Sequence, residues 1–379
     1  MKKIFILVGE ASGDKLASKV ISQLKKINCD IEYLSVGGEN LKKLGIKSIF
    51  NMNEITYLGF TKVLLNLFKI KRKINETANE IVKFNADILL SIDSPDFTLR
   101  VAKKVKKLNH NIKTIHYVAP QVWIWRKGRA NKIKHYIDHL LLLFKFEEEY
   151  FDKSFFKITY VGHPLLDYKK NNKSDLSNLV NVNKKIISIF PGSRLSEINI
   201  LMPILLKFVL LSQSKKNNYL YVFHTNQELK SNIDSFLKSQ NIKDCEIISD
   251  DNIKREILSK SIFAIAKSGT ISLEISNANI PSLIIYKMNF LNFFILKLLV
   301  KVKYANIFNI ISNNEIIPEL LQTNCNENKI YETFDLFIKN PELIKKQLFN
   351  CNKILDSMKT NSLSSQKVAN ILNDELKSL

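Results

Sequence analysis

The sequence predicts an α/β fold made of two doubly wound, Rossmann-like domains that face each other across a cleft. Three observations lead to this fold class. The chain has 379 residues, and a typical domain has about 150, so two domains are expected. Short runs of Ile, Val and Leu alternate with helical patterns, as in parallel βαβ units. The runs are apolar throughout, which is typical of strands covered by helices on both faces.

The first half contains six predicted strands. They cover residues 4–8, 31–36, 88–92, 114–118, 139–143 and 158–161, with helical patterns at 15–26, 69–84 and 99–108 between them. In an open parallel sheet the ligand lies beyond the carboxyl ends of the strands. The residues that follow each strand are therefore the candidate functional residues.

The second half repeats this pattern after a polar stretch at 168–185. Strands are predicted at 186–190, 220–223, 246–248, 262–266 and 282–286, with a helix near 197–211 and only helices after about residue 316. The predicted domains are 1–165 and 166–345. The C-terminal helices at 346–379 are expected to pack back toward the first domain.

Composition excludes several classes of protein. Hydrophobic residues make up 45% of the chain and charged ones 25%, the usual globular mixture. The four cysteines form no CxxC pair, which argues against a disulfide scaffold and favours a reducing compartment. The first apolar run is too short for a signal peptide, and no stretch of about 18 uncharged apolar residues predicts a membrane-spanning helix. We therefore expect a cytoplasmic protein.

The net charge of +21 has two explanations that the sequence leaves open. Lys, Asn and Ile have A/T-rich codons, so a biased genome produces such an excess without any function. Placement favours a function: residues 1–165 carry 29 basic and 16 acidic side chains, and residues 166–379 carry 28 and 20. The first half is therefore expected to meet an anionic partner. A nucleic acid is not expected, because the basic residues are scattered lysines.

Two acidic turns follow strands of the first half. In the turn GEASGD at 9–14, glycines permit a ligand to approach a helix N-terminus, but the carboxylates would repel a pyrophosphate. A hydroxyl-rich substrate is expected there, with helix capping by Ser12 or Asp14 as the alternative. In the turn DSPD at 93–96, a carboxylate at the strand end can accept a proton from a substrate hydroxyl. Helix capping accounts for Asp96, but it does not account for both Asp93 and Asp96.

Both tryptophans of the chain, Trp123 and Trp125, follow the predicted strand at 114–118. They either line a groove for an acyl chain or sugar face, or pack beneath the loop. The apolar stretches 57–68 and 288–300 are each joined to lysine-rich segments. Such stretches fit a membrane interface with anionic headgroups or, alternatively, buried core helices.

Two glycine turns open helices in the second half. PGSR at 191–194 suits a phosphate through backbone N–H groups, the helix dipole and a guanidinium. Arg194 is the only arginine between residues 130 and 254, and bidentate geometry is a reason to require arginine. The second turn lies in KSGTISLE at 267–274. Two such turns predict a diphosphate, with Glu274 accepting ribose hydroxyls.

Metal and hydrolase sites are not expected. His135 and His139 have i, i+4 spacing without an HExxH motif, and Asp93 and Asp96 lack the DxD spacing that often holds a divalent ion. No GxSxG elbow is present.

Six motifs together resemble the lipid-A-disaccharide synthase family. They are GEASGD at 9–14, IDSPDF at 92–97, YVAPQVWIW at 117–125, VGHP at 161–164, PGSR at 191–194 and SGT at 268–270. They occur in the family's order and spread over about residues 4–325. The resemblance implies a metal-independent, cofactor-free glycosyltransferase of the GT-B type. It also implies that the protein comes from a Gram-negative bacterium and is a peripheral protein on the cytoplasmic face of the inner membrane.

The implied reaction moves a diacylglucosamine unit from UDP-2,3-diacylglucosamine to the 6-hydroxyl of lipid X (2,3-diacylglucosamine 1-phosphate), with inversion. The products are lipid A disaccharide 1-phosphate and UDP. The implied partners are these substrates and the anionic membrane surface, and the choice between monomer and homodimer stays open. The alternative is another GT-B enzyme of UDP-sugars, either an epimerase or a transferase with a soluble acceptor.

The resemblance also implies residue roles. Domain 1–165 would bind the acceptor and face the membrane, with Asp93 as general base assisted by Glu10, and domain 166–345 would bind the donor. The implied donor-binding residues are Gly192, Ser193, Arg194, Glu197, Ser268, Gly269, Thr270, Glu274 and Asn309. The implied acceptor-binding residues are Ser12, Gly13, Asp14, Asp96, Pro120, Trp123, Trp125 and Arg129. The chain departs from the family's usual residues at Lys145, Lys287 and Ile307-Phe308.

Overall fold

The structure is a computed structural model. It describes residues 1–55, 67–122, 128–167, 184–215, 218–240, 242–289, 293 and 303–379. The chain forms two compact units. Unit 1 comprises Met1–Asp167 and Thr360–Leu379, and unit 2 comprises Tyr168–Lys359. The chain thus returns to unit 1 at Thr360, later than the sequence-based boundary at residue 346.

Unit 1 contains a six-stranded parallel sheet. Its strands are β1 Lys2–Val8, β2 Ile31–Val36, β3 Ile88–Ile92, β4 Lys113–Tyr117, β5 His139–Leu142 and β6 Lys157–Tyr160. The strand order is β2-β1-β3-β4-β5-β6. The described helices of this unit are α1 Ala11–Ile27, α2 Glu39–Lys43, α3 Leu67–Lys83, α4 Pro95–Leu108, α5 Gly128–Ile133 and, from the C-terminus, α13 Ser364–Lys377.

The core of unit 1 lies on its central strands. Ile4 to Val8 in β1 are fully buried, and α1 presents an apolar stripe at helical spacing. The C-terminal helix α13 packs against α1. Its buried Glu375 binds the ammonium groups of Lys113 at 2.6 Å and Lys157 at 3.1 Å. Burial opposes the charge of Glu375, but the lysines outweigh it and lower its pKa to about 2.

Unit 2 contains the second six-stranded parallel sheet. Its strands are β7 Lys185–Phe190, β8 Tyr219–His224, β9 Cys245–Ile248, β10 Ser261–Lys267, β11 Ser282–Tyr286 and β12 Glu319–Leu321. The order is β12-β11-β10-β7-β8-β9. The described helices are α6 Leu195–Ser214, α7 Lys230–Ser239, α8 Asp251–Lys260, α9 Ile271–Asn277, α10 Ile307–Ser312, α11 Glu327–Lys339 and α12 Pro341–Met358.

The edge strand β12 was not predicted, since the region after residue 316 was expected to hold only helices. It has three residues, each partly exposed, and is recognised only by its parallel pairing with β11. A run this short lacks the apolar signal of a central strand.

Helix α6 is the one described helix that is long and apolar enough to cross a membrane by length and composition. Its buried side chains, among them Leu201, Met202 and Leu205, pack in a core cluster with β7, β8 and β10. We therefore interpret α6 as a core helix of unit 2, which explains why it is apolar on more than one side.

Each sheet has a topological switch point, where the chain reverses its direction of progress across the sheet. In unit 1 it lies between β1 and β3, and in unit 2 between β7 and β10. Ligands of open α/β sheets bind in the crevice at the carboxyl ends of these strands. The four turns that follow these strands are the acidic and glycine turns singled out by the sequence.

Candidate active site

The turns after β1 and β3 meet at the switch point of unit 1. A Cβ atom on Gly9 would lie 2.6 Å from Cβ of Ser94, so only glycine permits this approach. Glu10 is half-buried at the start of α1, and Ser12 is exposed in the first turn of that helix. Gly13 is buried, since α1 packs there against β1 and β3. The structure therefore brings the Glu10 turn and the Asp93 turn together.

The turn after β3 contains two successive residues in the left-handed conformation. The φ angles of Asp93 and Ser94 are 52° and 45°. Non-glycine residues rarely adopt such angles, and those that do are concentrated at functional sites. Asp93 donates its N–H to Tyr117 O at 3.0 Å and accepts the Thr98 hydroxyl on its carbonyl at 2.7 Å. These bonds hold the half-buried Asp93 at the carboxyl edge of the sheet.

Two of the implied acceptor-binding residues bind each other. Arg129 Nη2 forms an ion pair with Asp96 Oδ1, although the two residues lie on different helices, α5 and α4. Pro120 is buried in the loop after β4. Trp123 and Trp125 lie outside the described residues, and so do most of the apolar stretches 57–68 and 288–300. The pairing makes Asp96 a partner of a cation.

Asp14 is bonded within the protein, and its implied contact with the acceptor stays a prediction. Its side chain is buried, and its carboxylate accepts hydrogen bonds from Gly38 N–H, Asn40 N–H and the Asn40 amide, each at 2.8 Å. A Cβ atom on Gly38 would lie 2.9 Å from the same carboxylate. Asp14 thus ties α1 to the loop after β2.

The PGSR turn of unit 2 is closed by Glu197. Gly192 has a φ of 122°, and a Cβ atom on it would lie 2.6 Å from Glu197 Oε2. Ser193 N–H donates to the same oxygen at 3.0 Å. Glu197 Oε1 lies 2.9 Å from Lys267 Nζ and 3.9 Å from Arg194 Nη1. The sequence predicted free backbone donors at this turn, whereas Glu197 already occupies the Ser193 amide.

The SGT turn after β10 lies on the neighbouring strand. Ser268 donates its N–H to Ile285 O at 3.0 Å and its hydroxyl to Ala305 O at 2.7 Å. Gly269 and Thr270 are exposed at the start of α9. The structure therefore places the two glycine turns side by side, as a diphosphate site requires, but it uses Ser268 to hold the loop at 305.

Glu274 forms an ion pair that the sequence did not predict. Its Oε2 lies 3.0 Å from Lys254 Nζ, which also binds Asp251 at 3.3 Å. Burial opposes the charge of Lys254, but the two carboxylates outweigh it and raise its pKa. Lys254 is 20 positions away from Glu274 in sequence, so no local motif could reveal this contact. It fixes the orientation of Glu274 at the end of the first turn of α9.

Asn309 holds its own loop in this structure, and its implied contact with the donor stays a prediction. It is fully buried, and its amide donates to Ile317 O at 2.7 Å and to Glu319 Oε1 at 2.8 Å. Its carbonyl accepts the N–H of Ile316 at 2.7 Å. A ligand contact would require these bonds to break. Asn309 holds the loop between α10 and β12.

Each sheet also holds one buried histidine near its switch point. His116 Nδ1 lies 2.8 Å from Ser91 Oγ, and His224 Nε2 lies 2.9 Å from Ser188 Oγ. Burial lowers the pKa of each histidine to about 3, so both are neutral near pH 7. They support the sheets beneath the turns and do not reach the surface.

Among the described residues, no group of three or more His, Cys, Asp or Glu side chains is arranged to hold a metal ion. The charged groups at the switch points are carboxylates in unit 1 and cations held by carboxylates in unit 2. Such a set suits proton acceptance from a hydroxyl on one sheet and binding of an anionic leaving group on the other. Two parallel Rossmann-like sheets with these turns define an enzyme of the GT-B fold class.

Comparison with known proteins identifies the family. The model of the lipid-A-disaccharide synthetase family matches residues 4–372. The chain is 35% identical to the lipid-A-disaccharide synthase of Rickettsia bellii over 99% of each chain. The chain therefore belongs to this family, and it is a glycosyltransferase of lipid A biosynthesis, as the resemblance of the six motifs predicted.

Solved structures agree on the fold. A UDP-GlcNAc 2-epimerase from Neisseria meningitidis bound to UDP-GlcNAc superposes with a TM-score of 0.64 at 13% identity, over 100% of both chains. Acinetobacter baumannii MurG superposes with a TM-score of 0.59 at 13% identity, over 99% of this chain and 100% of that one. The GT-B fold class is confirmed, while identities this low say nothing about substrates.

Proposed function

We propose that this enzyme transfers a diacylglucosamine unit from UDP-2,3-diacylglucosamine to the 6-hydroxyl of lipid X. The acceptor oxygen forms the new bond to the sugar C1 as the bond from C1 to the diphosphate breaks. The electron pair leaves with UDP, and the hydroxyl proton goes to the enzyme. Attack from the face opposite the leaving group inverts the configuration at C1, giving the β1→6 disaccharide 1-phosphate.

The strained turn at Asp93 is the observation that carries this proposal. Two successive left-handed residues cost folding energy, and such strain persists where it orients a functional group. The turn lies at the switch point of unit 1, against Gly9 and next to Glu10. A carboxylate held there can accept the hydroxyl proton in the transition state. Asp93 acts as the general base, and Glu10 orients the acceptor.

The donor UDP binds to unit 2 at the turns after β7 and β10. Arg194 provides a planar guanidinium for the diphosphate, which suits two phosphate oxygens better than a point charge does. Glu274, oriented by Lys254, accepts the ribose hydroxyls. The reaction is proposed to need no metal, because the charge that develops on UDP is balanced by protein cations. Turnover that stays unchanged when a chelator is added is the expected result for this part of the proposal.

An anionic membrane surface is the proposed partner of unit 1, on the inner face of the inner membrane. Phe68, at the start of α3, is 92% exposed. A groove between α3 and α4 is lined by five basic side chains and one apolar one: Lys71, Ile74, Arg100, Lys103, Lys104 and Lys107. An exposed aromatic beside clustered cations suits lipid headgroups. Flotation with anionic but not with zwitterionic vesicles is the expected result.

A UDP-release assay tests the reaction itself. The purified protein is incubated with the acylated UDP-sugar, with lipid X, or with both, and free UDP is measured. Release that depends on both substrates, together with a disaccharide 1-phosphate product, is expected. Conversion of the UDP-sugar without an acceptor would favour an epimerase. Release with soluble hydroxyl acceptors but not with lipid X would favour a different transferase.

A further inference from the structure

The junction of the two glycine turns contains a lysine that no motif identified. Lys267 is the last residue of β10, and its ammonium lies 2.9 Å from Glu197 Oε1. Glu197 belongs to the first turn of α6, which follows β7. Lys267 therefore connects the two turns across the switch point of unit 2.

The serine donors of both turns are already bonded within the protein. Ser193 N–H donates to Glu197 at 3.0 Å, and Ser268 N–H donates to Ile285 O at 3.0 Å. The Ser268 hydroxyl donates to Ala305 O at 2.7 Å. These groups can serve a ligand only if protein hydrogen bonds break. A diphosphate at this edge therefore depends more on side-chain cations than the sequence indicated.

The charges at the junction are not balanced. Arg194 and Lys267 both face the single carboxylate of Glu197, so these three side chains carry one net positive charge. The Lys267 side chain is only 19% exposed, and a partly desolvated ammonium attracts an anion more strongly than a surface lysine does. An ammonium has three N–H donors, and the Glu197 contact uses one of them.

A second observation beside the SGT turn indicates a polar ligand. Asn306 follows Ala305, which the Ser268 hydroxyl holds, and its side chain is 1% exposed. Its Nδ2 has no hydrogen-bond partner among the described residues. Buried amides are nearly always paired, by protein, water or ligand. The Nδ2 group of Asn306 therefore lacks a hydrogen-bond acceptor among the described residues, and a phosphate or sugar oxygen can supply one.

We propose that Lys267 is a second cationic ligand of the donor's diphosphate, acting beside Arg194 and held in place by Glu197. This inference rests on the proposed function, because it takes the UDP donor as given. Lys267 contacts the β-phosphate, the group whose negative charge grows as the bond to the sugar breaks. Arg194 and Lys267 together then stabilise the departing UDP.

Calorimetric titration of Lys267→Met with UDP and with UMP tests the proposal. This substitution removes the ammonium and nearly keeps the length of the side chain. We expect the Kd for UDP to rise about tenfold, as for a lost charge-assisted hydrogen bond. The Kd for UMP, which lacks the β-phosphate, should rise by less than about threefold. Lys267→Arg should keep the wild-type ratio of the two Kd values.

Lys184→Met is the matched control. Lys184 is also ion-paired, with Asp244 at 2.6 Å, and its side chain is 21% exposed, close to the value for Lys267. It precedes β7 and so lies at the amino end of the sheet, away from the turns. The control removes the same charge from the same unit. UDP affinity should not change.

The outcomes separate this inference from the proposed function. If wild-type protein binds UDP and Lys267→Met binds it equally well, the inference is wrong and the proposed donor stands. Equal losses for UDP and UMP would also overturn it, because Lys267 would then only maintain the turn. If the wild-type protein binds no UDP, the proposed function itself fails.

Discussion

The two sheets of this enzyme differ in strand order, but each is parallel and six-stranded with one switch point, and the charged groups at the two switch points differ in sign. In unit 1 the turns after β1 and β3 present the carboxylates Glu10 and Asp93. In unit 2 the turns after β7 and β10 present the cations Arg194 and Lys267, both near Glu197. The position of each crevice follows from strand order alone, whereas the residues of the turns decide which chemistry it performs.

The two units also position their turns by different means. In unit 1 the turn after β3 contains two non-glycine residues, Asp93 and Ser94, in a strained conformation at positive φ. Unit 2 uses Gly192 at a φ of 122°, a conformation that side chains rarely adopt, and folds the Glu197 side chain over it. Among the four turns, positive φ at non-glycine residues therefore occurs only at the proposed base, whereas close packing around a glycine occurs in both units, at Gly9 and at Gly192.

The largest expected effect is a loss of turnover without a loss of UDP binding, which would separate the proposed base in unit 1 from the proposed donor site in unit 2. Asp93→Asn should lower kcat by about a thousandfold, within the range for loss of a general base. Its Kd for UDP should stay within about twofold of wild type, since the donor residues are unchanged. Single-turnover kinetics and titration calorimetry measure the two quantities. Asp96→Asn, which changes the acid paired with Arg129, should lower kcat by less than Asp93→Asn does. Near-normal turnover of Asp93→Asn would move the base to Glu10 or Asp96.

A pair of glycine substitutions tests the packing of the unit 2 turns. Gly192→Ala should reduce the unfolding free energy by about 2 kcal/mol, because its φ is unfavourable and its methyl group meets Glu197. Gly269→Ala is the matched control in the other turn, where the one described atom near a Cβ would be Lys267 O, at 3.9 Å. It should stay within about 0.5 kcal/mol of wild type. Urea unfolding followed by circular dichroism compares them, and equal effects would contradict the assigned packing.

Acid should destabilise both units through buried histidines, of which His116 and His224, two of the four buried ones among the described residues, have the lowest pKa values. The pKa of His116 and of His224 is about 3, below the ordinary 6.5. Between these pH values the unfolded chain binds protons that the folded chain excludes, so the unfolding free energy falls as pH falls. From pH 7 to pH 5 we expect a loss of about 1–2 kcal/mol for each histidine.

Paired substitutions locate this pH dependence in each unit. His224→Leu with Ser188→Ala should reduce the acid loss of unit 2, and His116→Leu with Ser91→Ala that of unit 1. Both tryptophans belong to unit 1 in sequence, so their fluorescence follows that unit, while circular dichroism follows both. An acid loss that is the same in these variants as in wild type would mean that other groups cause it.

The smallest expected effect concerns the shape of the cation in unit 2. Arg194→Lys keeps the charge but loses the planar fork, so the Kd for UDP should rise about fivefold. Arg129→Lys, in unit 1, is the control and should leave this Kd unchanged. An unaltered Kd in Arg194→Lys, measured by calorimetry, would show that a point charge is sufficient at this position.

The strands and the four switch-point turns were predictable because their signals are local. Each central strand is an apolar run, and each turn contains glycine, proline or acidic residues directly after it. The short edge strand β12 gave no such signal. The roles of Trp123, Trp125 and the apolar stretches 57–68 and 288–300 stay predictions, since they lie largely outside the described residues.

The partners of the functional side chains could not be predicted. Asp14 binds Asn40, Glu197 binds Lys267, and Glu274 binds Lys254. In each pair the two residues lie on different secondary-structure elements of the same unit. For the same reason the sequence could not indicate that Asn309 is saturated by its own loop or that Ser193 N–H is occupied.

The sequence by itself determined the fold class, the family and the turns that we propose carry the chemistry, because apolar periodicity and turn composition act over a few neighbouring residues. Only the tertiary structure decided which charges face one another. An ion pair depends on distances between atoms that folding brings together, and these distances are set by strand order and helix packing. Lys267 is an ordinary lysine in the sequence, and its place beside Glu197 and Arg194 makes it a candidate ligand of the donor.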